Sequence, residues 1–448
     1  MTSSIIDSKI FAPLFHSTQM QSLFNDEARV QAYLDSEAAL ARAQANLGMI
    51  PQDAAQKINQ AANTVDIDMA RLAKDTGIVG YPILGLVRQL VAATEGEAAG
   101  YVHWGATTQD IMDTASVLQI RNGLELISED LDKVENALKV LAKTHKNTVM
   151  AGRTHLQHAL PITFGYKAAV WLDSIHRTRE RIAEMKPRVL RAQLWGAAGT
   201  LASIGDKAEL LTAEFAKELG LHAPIAPWHA TRDGIAEAAT CLALMTGSLS
   251  KIAFDIMIMC MDEISELAEP FVKDRGASST MPQKRNPISC EVIRGCHSSV
   301  SKAAGMLIEA QESDFERATG PWHAEWIALP QAFVLSHCAV SQAVFLLEGL
   351  EVFPEKMEQN LNISKGLIVA ESAMMALAPH LGRQESHDIV YEACREAQSA
   401  KTSLFDALKK HQEVMDLISE KELADILSPS SYLGLSQHIV DAVLNLSQ

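Results

Sequence analysis

The chain has 448 residues, a formal net charge of −16, and 48% hydrophobic against 5% aromatic residues. At about 150 residues per domain this length allows about three domains and a sizeable core. The acidic balance excludes nucleic acid and anionic membrane as main partners, because binding phosphate needs a basic footprint, so any anionic ligand must be held by a local cluster of cations. The N-terminal stretch "MTSSIIDSKIFAPLF" lacks a basic region followed by an apolar run, so no signal peptide is expected and a cytoplasmic location is. The six cysteines (Cys241, Cys260, Cys290, Cys296, Cys338, Cys394) show no C-x-x-C spacing and sit in apolar helical patterns, which predicts buried free thiols in a reducing compartment.

In chain order, "DEARVQAYLDSEAALARAQANLGMI" places Val30, Tyr33, Leu34, Ala38, Leu40 and Ala41 at three- and four-residue steps and stops at Gly48 and Pro51, the pattern of an amphipathic helix. From Val117 to Leu141 the same periodicity runs for about seven turns at 3.6 residues each, long for a globular helix. The stretch Ala236 to Met261 is apolar around most of its circumference. Its Glu237, Lys251 and Asp255 would be costly in hydrocarbon, so burial in a bundle or against other subunits is expected rather than a membrane span. No alternating β-branched run lies between hairpin turns, so strands should be scarce, and no internal repeat is visible. The fold class expected is all-α. Clusters of Gly, Pro and Ser divide the chain into an N-terminal helical segment (1–100), a central long-helix segment (101–350) and a C-terminal helical segment (351–448).

Three polar stretches interrupt this helical background. "HWGATTQDIMDT" gathers Thr107, Thr108, Gln109 and Asp110 ahead of the long middle helix; it reads either as a helix N-cap or as a carboxylate site built on helix N–H groups and hydroxyls. "GRTHLQHALPITFG" crowds Arg153, Thr154, His155, Gln157 and His158 together, which favours an acid/base or anion site. No carboxylate or thiolate accompanies the two histidines at ligand spacing, which argues against a metal. "GASSTMPQKRNP" combines Gly276 as a hinge, Ser278 and Ser279, the bulky Met281 and Pro282, and Lys284 with Asn286; it reads as a loop that orders over a ligand. Tryptophans four apart in "WHAEW" (Trp322 to Trp326) are expected in the core, and His229 and Arg232 in "PWHATRD" are expected to cap or salt-bridge the start of the following helix.

The stretch "SSTMPQKRNP" resembles the signature loop of the fumarase/aspartase superfamily, G-S-S-x-x-P-x-K-x-N, and the other two polar stretches resemble its other motif regions. With "YVHWGATTQDIMDT", "WGAAGTLAS", "PWHATRDGIAE" and "GPWHAEWIALP", the whole chain is similar to bacterial 3-carboxy-cis,cis-muconate cycloisomerases, in the adenylosuccinate lyase-like branch. The resemblance implies a helical homotetramer with active sites shared between chains, a small polycarboxylate substrate, no metal and no organic cofactor. It makes Ser278 the general base, with Lys284 holding the carboxylate whose charge grows as a carbanion forms. Thr107, Thr108, Gln109, Asp110, Arg153, Thr154, Gln157, Ser279, Met281, Asn286 and Arg317 become substrate-binding residues. His155 stands where the cycloisomerases carry Trp and where adenylosuccinate lyases carry a general acid, Gln283 replaces His, Ala277 replaces the leading Gly, and Tyr81-Pro82 replaces a His-Asp pair. The whole-chain likeness therefore favours a cycloisomerase-like activity, lactonisation of a small polycarboxylate such as 3-carboxy-cis,cis-muconate or its reverse β-elimination, and the alternative is elimination of fumarate from an N-substituted aspartate with His155 as acid. A non-catalytic scaffold is a third reading, which the intact Ser278, Lys284, Asn286 and His155 oppose.

Overall fold

The computed structural model describes residues 5–15, 17–317 and 319–446; the first four residues of the stretch read above for a leader lie outside them. Helices dominate, as the periodicity predicts. The long ones are α1 (Asp26–Asn46), α2 (Thr108–Thr144), α3 (Phe164–Val189), α4 (Asp233–Met259), α5 (Ile288–Glu309) and α6 (Pro321–Glu348). Contacts divide the chain into two compact units, Met1–Leu131 with Thr178–Ser250 and Val292–Gln342, and Asp132–Arg177 with Lys251–Glu291 and Ala343–Gln448. Several long helices supply residues to both.

In the first unit, Asn25 caps α1 by accepting from the Ala28 N–H at 2.8 Å, and Gly48 leaves the helix with φ +62°. All six apolar residues singled out on this helix are buried. Val30, Tyr33 and Leu34 pack with Leu86, Leu90, Ile111, Met112 and Trp322 into one cluster. Helix α2 starts at Thr108, nine residues before its apolar periodicity becomes visible at Val117, because the polar motif itself forms its first turns.

In the second unit, the stretch read as a polar loop is a β-hairpin, β1 (Val149–Thr154) with β2 (Gln157–Thr163). Alternation is hidden there by Gly152, Pro161 and a register shift between Ala151 and Arg153. A second antiparallel pair is only two residues long, β3 (Leu267–Ala268) with β4 (Glu351–Val352), so strands are few and short. The C-terminal helices α7 (Ala370–Leu381) and α8 (Arg383–Ala400) bury Ala373, Leu377, Val390 and Ala393 against Leu404, Leu408 and Val414.

Helices α4 and α6 are long and apolar enough to cross a membrane by length and composition. Yet Glu237, Lys251 and Asp255 on α4 are paired, Glu237 with Arg188 and Asp255 with Lys251 and Lys167. Only 44% of the most apolar window of α4 is buried in the single chain, with Leu244 and Phe254 exposed on α4 and Ile308 on α5. All six cysteines are free thiols, four of them buried.

Close approach of α3 to the end of α2 depends on Gly165. A Cβ there would lie 2.6 Å from the Ala142 carbonyl oxygen and 2.6 Å from the Lys146 Cα, backbone atoms that cannot move alone. Gly165→Ala should cost about 1–3 kcal/mol or more and lower the thermal midpoint, followed by circular dichroism; an unchanged midpoint would mean that this contact is not tight.

Candidate active site

The first motif folds into the start of α2. The Thr107 carbonyl accepts from the Asp110 N–H at 3.0 Å, and Asp110 Oδ2 accepts from the Thr107 N–H at 3.0 Å, a reciprocal cap. Asp110 is fully buried and does more than cap: it also accepts from the Trp195 N–H (3.0 Å) and the Gly196 N–H (2.9 Å), and its Oδ1 lies 2.7 Å from His229 Nε2. Gln109, also buried, donates to Asp113 Oδ2 at 3.1 Å and to the His229 carbonyl at 2.9 Å. Thr107 and Thr108 remain partly exposed at the helix start, where N–H groups and the helix dipole favour an anion. Arg317 joins them, donating to Thr107 Oγ1 at 2.6 Å, to the Gly196 carbonyl at 3.4 Å and to the Ala197 carbonyl.

Beneath this edge sits an ionic core. Arg232, just ahead of α4, binds Asp113 through Nη1 (2.7 Å) and Nη2 (2.9 Å) and Glu325 through Nε (2.8 Å) and Nη2 (2.5 Å). Trp322 Nε1 donates to Asp113 at 3.1 Å, so this tryptophan is core, as expected, and Glu325 pairs with Arg232. Burial alone would lower the Arg232 pKa, but the two carboxylates outweigh it and raise it. Burial also raises the Glu325 pKa against the pull of Arg232, because one guanidinium cannot neutralise two carboxylates fully. His103, with φ +59°, places Nδ1 2.6 Å from the buried Glu37 carboxylate.

In the second unit the β1–β2 hairpin turns at His155 (φ +50°) and Leu156 (φ +61°). Two consecutive left-handed residues define a type I′ turn, which normally recruits Asn-Gly; holding non-glycine residues there costs of order 1 kcal/mol each. Thr154, His155 and Gln157 are all exposed at this tip, and the His155 imidazole has no hydrogen-bond partner among the described residues. Arg153 is not free for an anion: it grips Glu266 in a bidentate pair (2.9 and 2.6 Å), and Glu266 also accepts from Asn360 at 2.9 Å. Burial, with help from Arg153, lowers the His158 pKa.

The signature loop closes on itself. Asn286 donates to the Gly276 carbonyl from both its backbone N–H (3.1 Å) and its side-chain amide (3.0 Å), and a bridge joins Ala277 to Arg285. Gly276 has φ +73°, and a Cβ there would lie 2.6 Å from the Asn286 carbonyl, so the neck requires glycine. Ser278 Oγ accepts from the Met281 N–H at 3.1 Å and the Thr280 N–H at 3.3 Å. Ser279, Met281 and Lys284 are exposed. Glu269 anchors the far end by accepting from the Ser289 and Cys290 N–H groups at the start of α5 (3.1 and 2.9 Å). A cavity of about 610 Å³ is lined by Met281, Lys284 and Asn286 with Arg275, Cys260 and Phe353. Burial pushes the Cys260 thiol up to about 11, so it is no nucleophile at neutral pH.

The described contacts thus bring Thr107, Asp110 and Arg317 together, and place Ser278, Lys284 and Asn286 on one pinned loop. Reading the sequence assigned no role to four of the carboxylates that hold these groups, Glu37, Asp113, Glu266 and Glu269. Only Asp113 carried a signal, three residues after Asp110 on the same helical face.

A lyase family matches residues 15–301, and the adenylosuccinate lyase C-terminus matches residues 366–443. The chain belongs to the fumarase/aspartase superfamily of lyases. It is 51% identical to a fumarate lyase from Mesorhizobium sp. BNC1 whose crystal structure superposes with a TM-score of 0.91 over 96% of this chain and 98% of that one. It is similar to trans-aconitate decarboxylase 1 of Mycosarcoma maydis (44% identical over 96% of this chain and 88% of that protein) and to the 3-carboxy-cis,cis-muconate cycloisomerase of Acinetobacter baylyi (41% identical over 98% of each). This superfamily enzyme is therefore all-α, of the adenylosuccinate lyase-like branch, in a class that includes cycloisomerases.

The His103–Glu37 pair gives the first unit of this lyase a pH dependence. Burial alone would lower the His103 pKa, but the Glu37 carboxylate outweighs it, so the folded value lies above the ordinary 6.5. A raised folded pKa means that the folded state binds the proton more tightly, so the stabilisation is complete below about 6.5 and is lost as pH rises through the folded value. Thermal midpoints of wild type and His103→Gln should differ most near pH 6 and converge at higher pH; a difference that grows with pH would reverse the assignment.

Proposed function

We propose that the enzyme moves a proton at the carbon next to a carboxylate of a small polycarboxylate, with Ser278 as the base. The observation that carries this is the pair of N–H groups, from Thr280 and Met281, that already converge on Ser278 Oγ. A serine hydroxyl is a poor base until its alkoxide is stabilised, and two backbone donors aimed at the oxygen do so without reorganisation. Lys284, exposed on the same loop, and Asn286, at its neck, would hold the carboxylate that takes up charge as the proton leaves. Thr107, Thr108, Thr154, Gln157, Ser279, Met281 and Arg317 would contact the rest of the substrate, with Arg317 on a second carboxylate.

Between the two outcomes of such a carbanion, elimination is favoured. Ser278 takes a proton from the methylene carbon next to the side-chain carboxylate, the electron pair forms the carbon–carbon double bond to Cα, and the nitrogen leaves Cα with a proton from the His155 imidazolium, releasing fumarate. An exposed, unpartnered histidine held in a strained turn supports this, since a strained residue persists where its position matters. The 51% identity to a fumarate lyase points the same way. The second reading, lactonisation of 3-carboxy-cis,cis-muconate, is supported by whole-length similarity to a cycloisomerase; there a substrate carboxylate adds across the double bond and Ser278 returns a proton to carbon.

The exposed apolar faces of α4 and α5 support a homotetramer, whose sites would take residues from several chains. A cytoplasmic location and the division near residues 100 and 350 belong to the same reading.

Ultraviolet assay against 3-carboxy-cis,cis-muconate and a panel of N-substituted aspartates should show fumarate release from the panel with muconate untouched; muconate loss alone would establish the cycloisomerase instead. Ser278→Ala should lower turnover about 10²–10⁴-fold with the oligomer intact, and His155→Asn should do so only for elimination. Full turnover by Ser278→Ala would remove the base assignment.

A further inference from the structure

Asp110 belongs to the first motif, yet its surroundings leave it nothing to offer a substrate. Four donors occupy its two oxygens: Thr107 N–H and Gly196 N–H at Oδ2, Trp195 N–H and His229 at Oδ1. That fills the lone-pair sites of a carboxylate, and the group is fully buried. The two segments it ties are the same two that hold Arg317, through Thr107 Oγ1 and the Gly196 and Ala197 carbonyls.

These segments have little slack. Gly105 (φ +82°) would put a Cβ 2.5 Å from Ile204 Cδ1, and Gly196 (φ +71°) would put one 3.3 Å from the Gly105 carbonyl. Arg317 meets only neutral oxygens there and has no carboxylate partner among the described residues, so its charge stays available to a ligand.

We infer that Asp110, buttressed by His229, is a positioning residue: it clamps the 105–107 and 195–197 segments together so that Arg317 is presented to a ligand carboxylate. This rests on the reading of Arg317 as a carboxylate ligand. Asp110 acts through Arg317, and its own negative charge never meets the substrate. His229 supplies one of the four donors through Nε2, at 2.7 Å from a site with 2% exposure.

Asn at position 110 would turn an amide NH₂ toward inward-pointing donors and loosen the clamp. On the substrate consumed in the ultraviolet assay, Asp110→Asn should raise KM about 10- to 100-fold with kcat changed much less, as misplacement of a binding group predicts. In an Arg317→Met background the same change should add less than about threefold, whereas a merely structural role gives multiplicative losses, which would overturn the inference. His229→Gln, which keeps an N–H donor, should restore most of what His229→Leu loses; equal losses would count against the pair. If Asp110→Asn does not fold, His229→Leu carries the double-mutant test, since it removes one donor of four. If wild type consumes neither muconate nor the aspartates, the proposed function fails. The crystal structure of Asp110→Asn, or of His229→Leu in its place, then decides the clamp: Arg317 displaced from Thr107 and Gly196 supports it, and Arg317 unmoved overturns it.

Discussion

A single guanidinium shared by two buried carboxylates organises the first unit. Arg232, at the head of α4, reaches Asp113 on α2 and Glu325 on α6, and thereby fixes the relative register of three long helices at one level. Buried ion groups of this kind add little net stability over apolar packing, but removing one partner strands a charge and costs several kcal/mol. What the triad supplies is discrimination among registers. Apolar side chains at helical spacing are nearly indifferent to a one-turn slip, and a fork that must meet two carboxylates at 2.5–2.9 Å is not.

The motif chemistry is layered on that constraint. Gln109 bridges from Asp113 to the His229 carbonyl, Asp110 sits one residue further on, and the partly exposed Thr107 completes the sequence of contacts from core to edge. The buried carboxylates of Asp113 and Asp110 are each held by several donors while the threonines at the edge stay partly exposed, which lets a helix N-terminus be rigid and still open to an anion. Arg317 closes this edge from a different part of the chain, so a cation stands beside the helix start in an acidic protein.

The second unit solves a different problem, that of holding exposed polar side chains still. Its hairpin tip is strained at His155 and Leu156, and its stem is secured by the Arg153–Glu266–Asn360 cluster. The signature loop is pinched at Gly276–Asn286 and anchored through Arg285, which donates to the Glu269 carbonyl at 2.7 Å and to Glu351 at 2.8 Å. In both places a carboxylate outside the motifs restrains a motif whose polar side chains are exposed. The proposed proton transfer from carbon would need such restraint, because a base must stay within hydrogen-bond reach while charge develops elsewhere.

Local sequence determined the helical class, the amphipathic face of α1, the scarcity of strands and the three polar stretches, because periodicity and punctuation are properties of neighbouring residues. It also marked Ser278, Lys284 and Asn286, which lie within nine residues of one another. Tertiary structure alone decided that "GRTHLQHALPITFG" is a hairpin, since its strand pairing is masked by a bulge, a proline and a glycine and declares itself only when the two halves meet. It alone revealed that Asp110 and Arg153, both read as substrate contacts, spend their charges on Thr107, Gly196, His229 and Glu266. A charge is legible in sequence and its partner is not, because partners 113 or 119 residues away are chosen by how helices and loops pack.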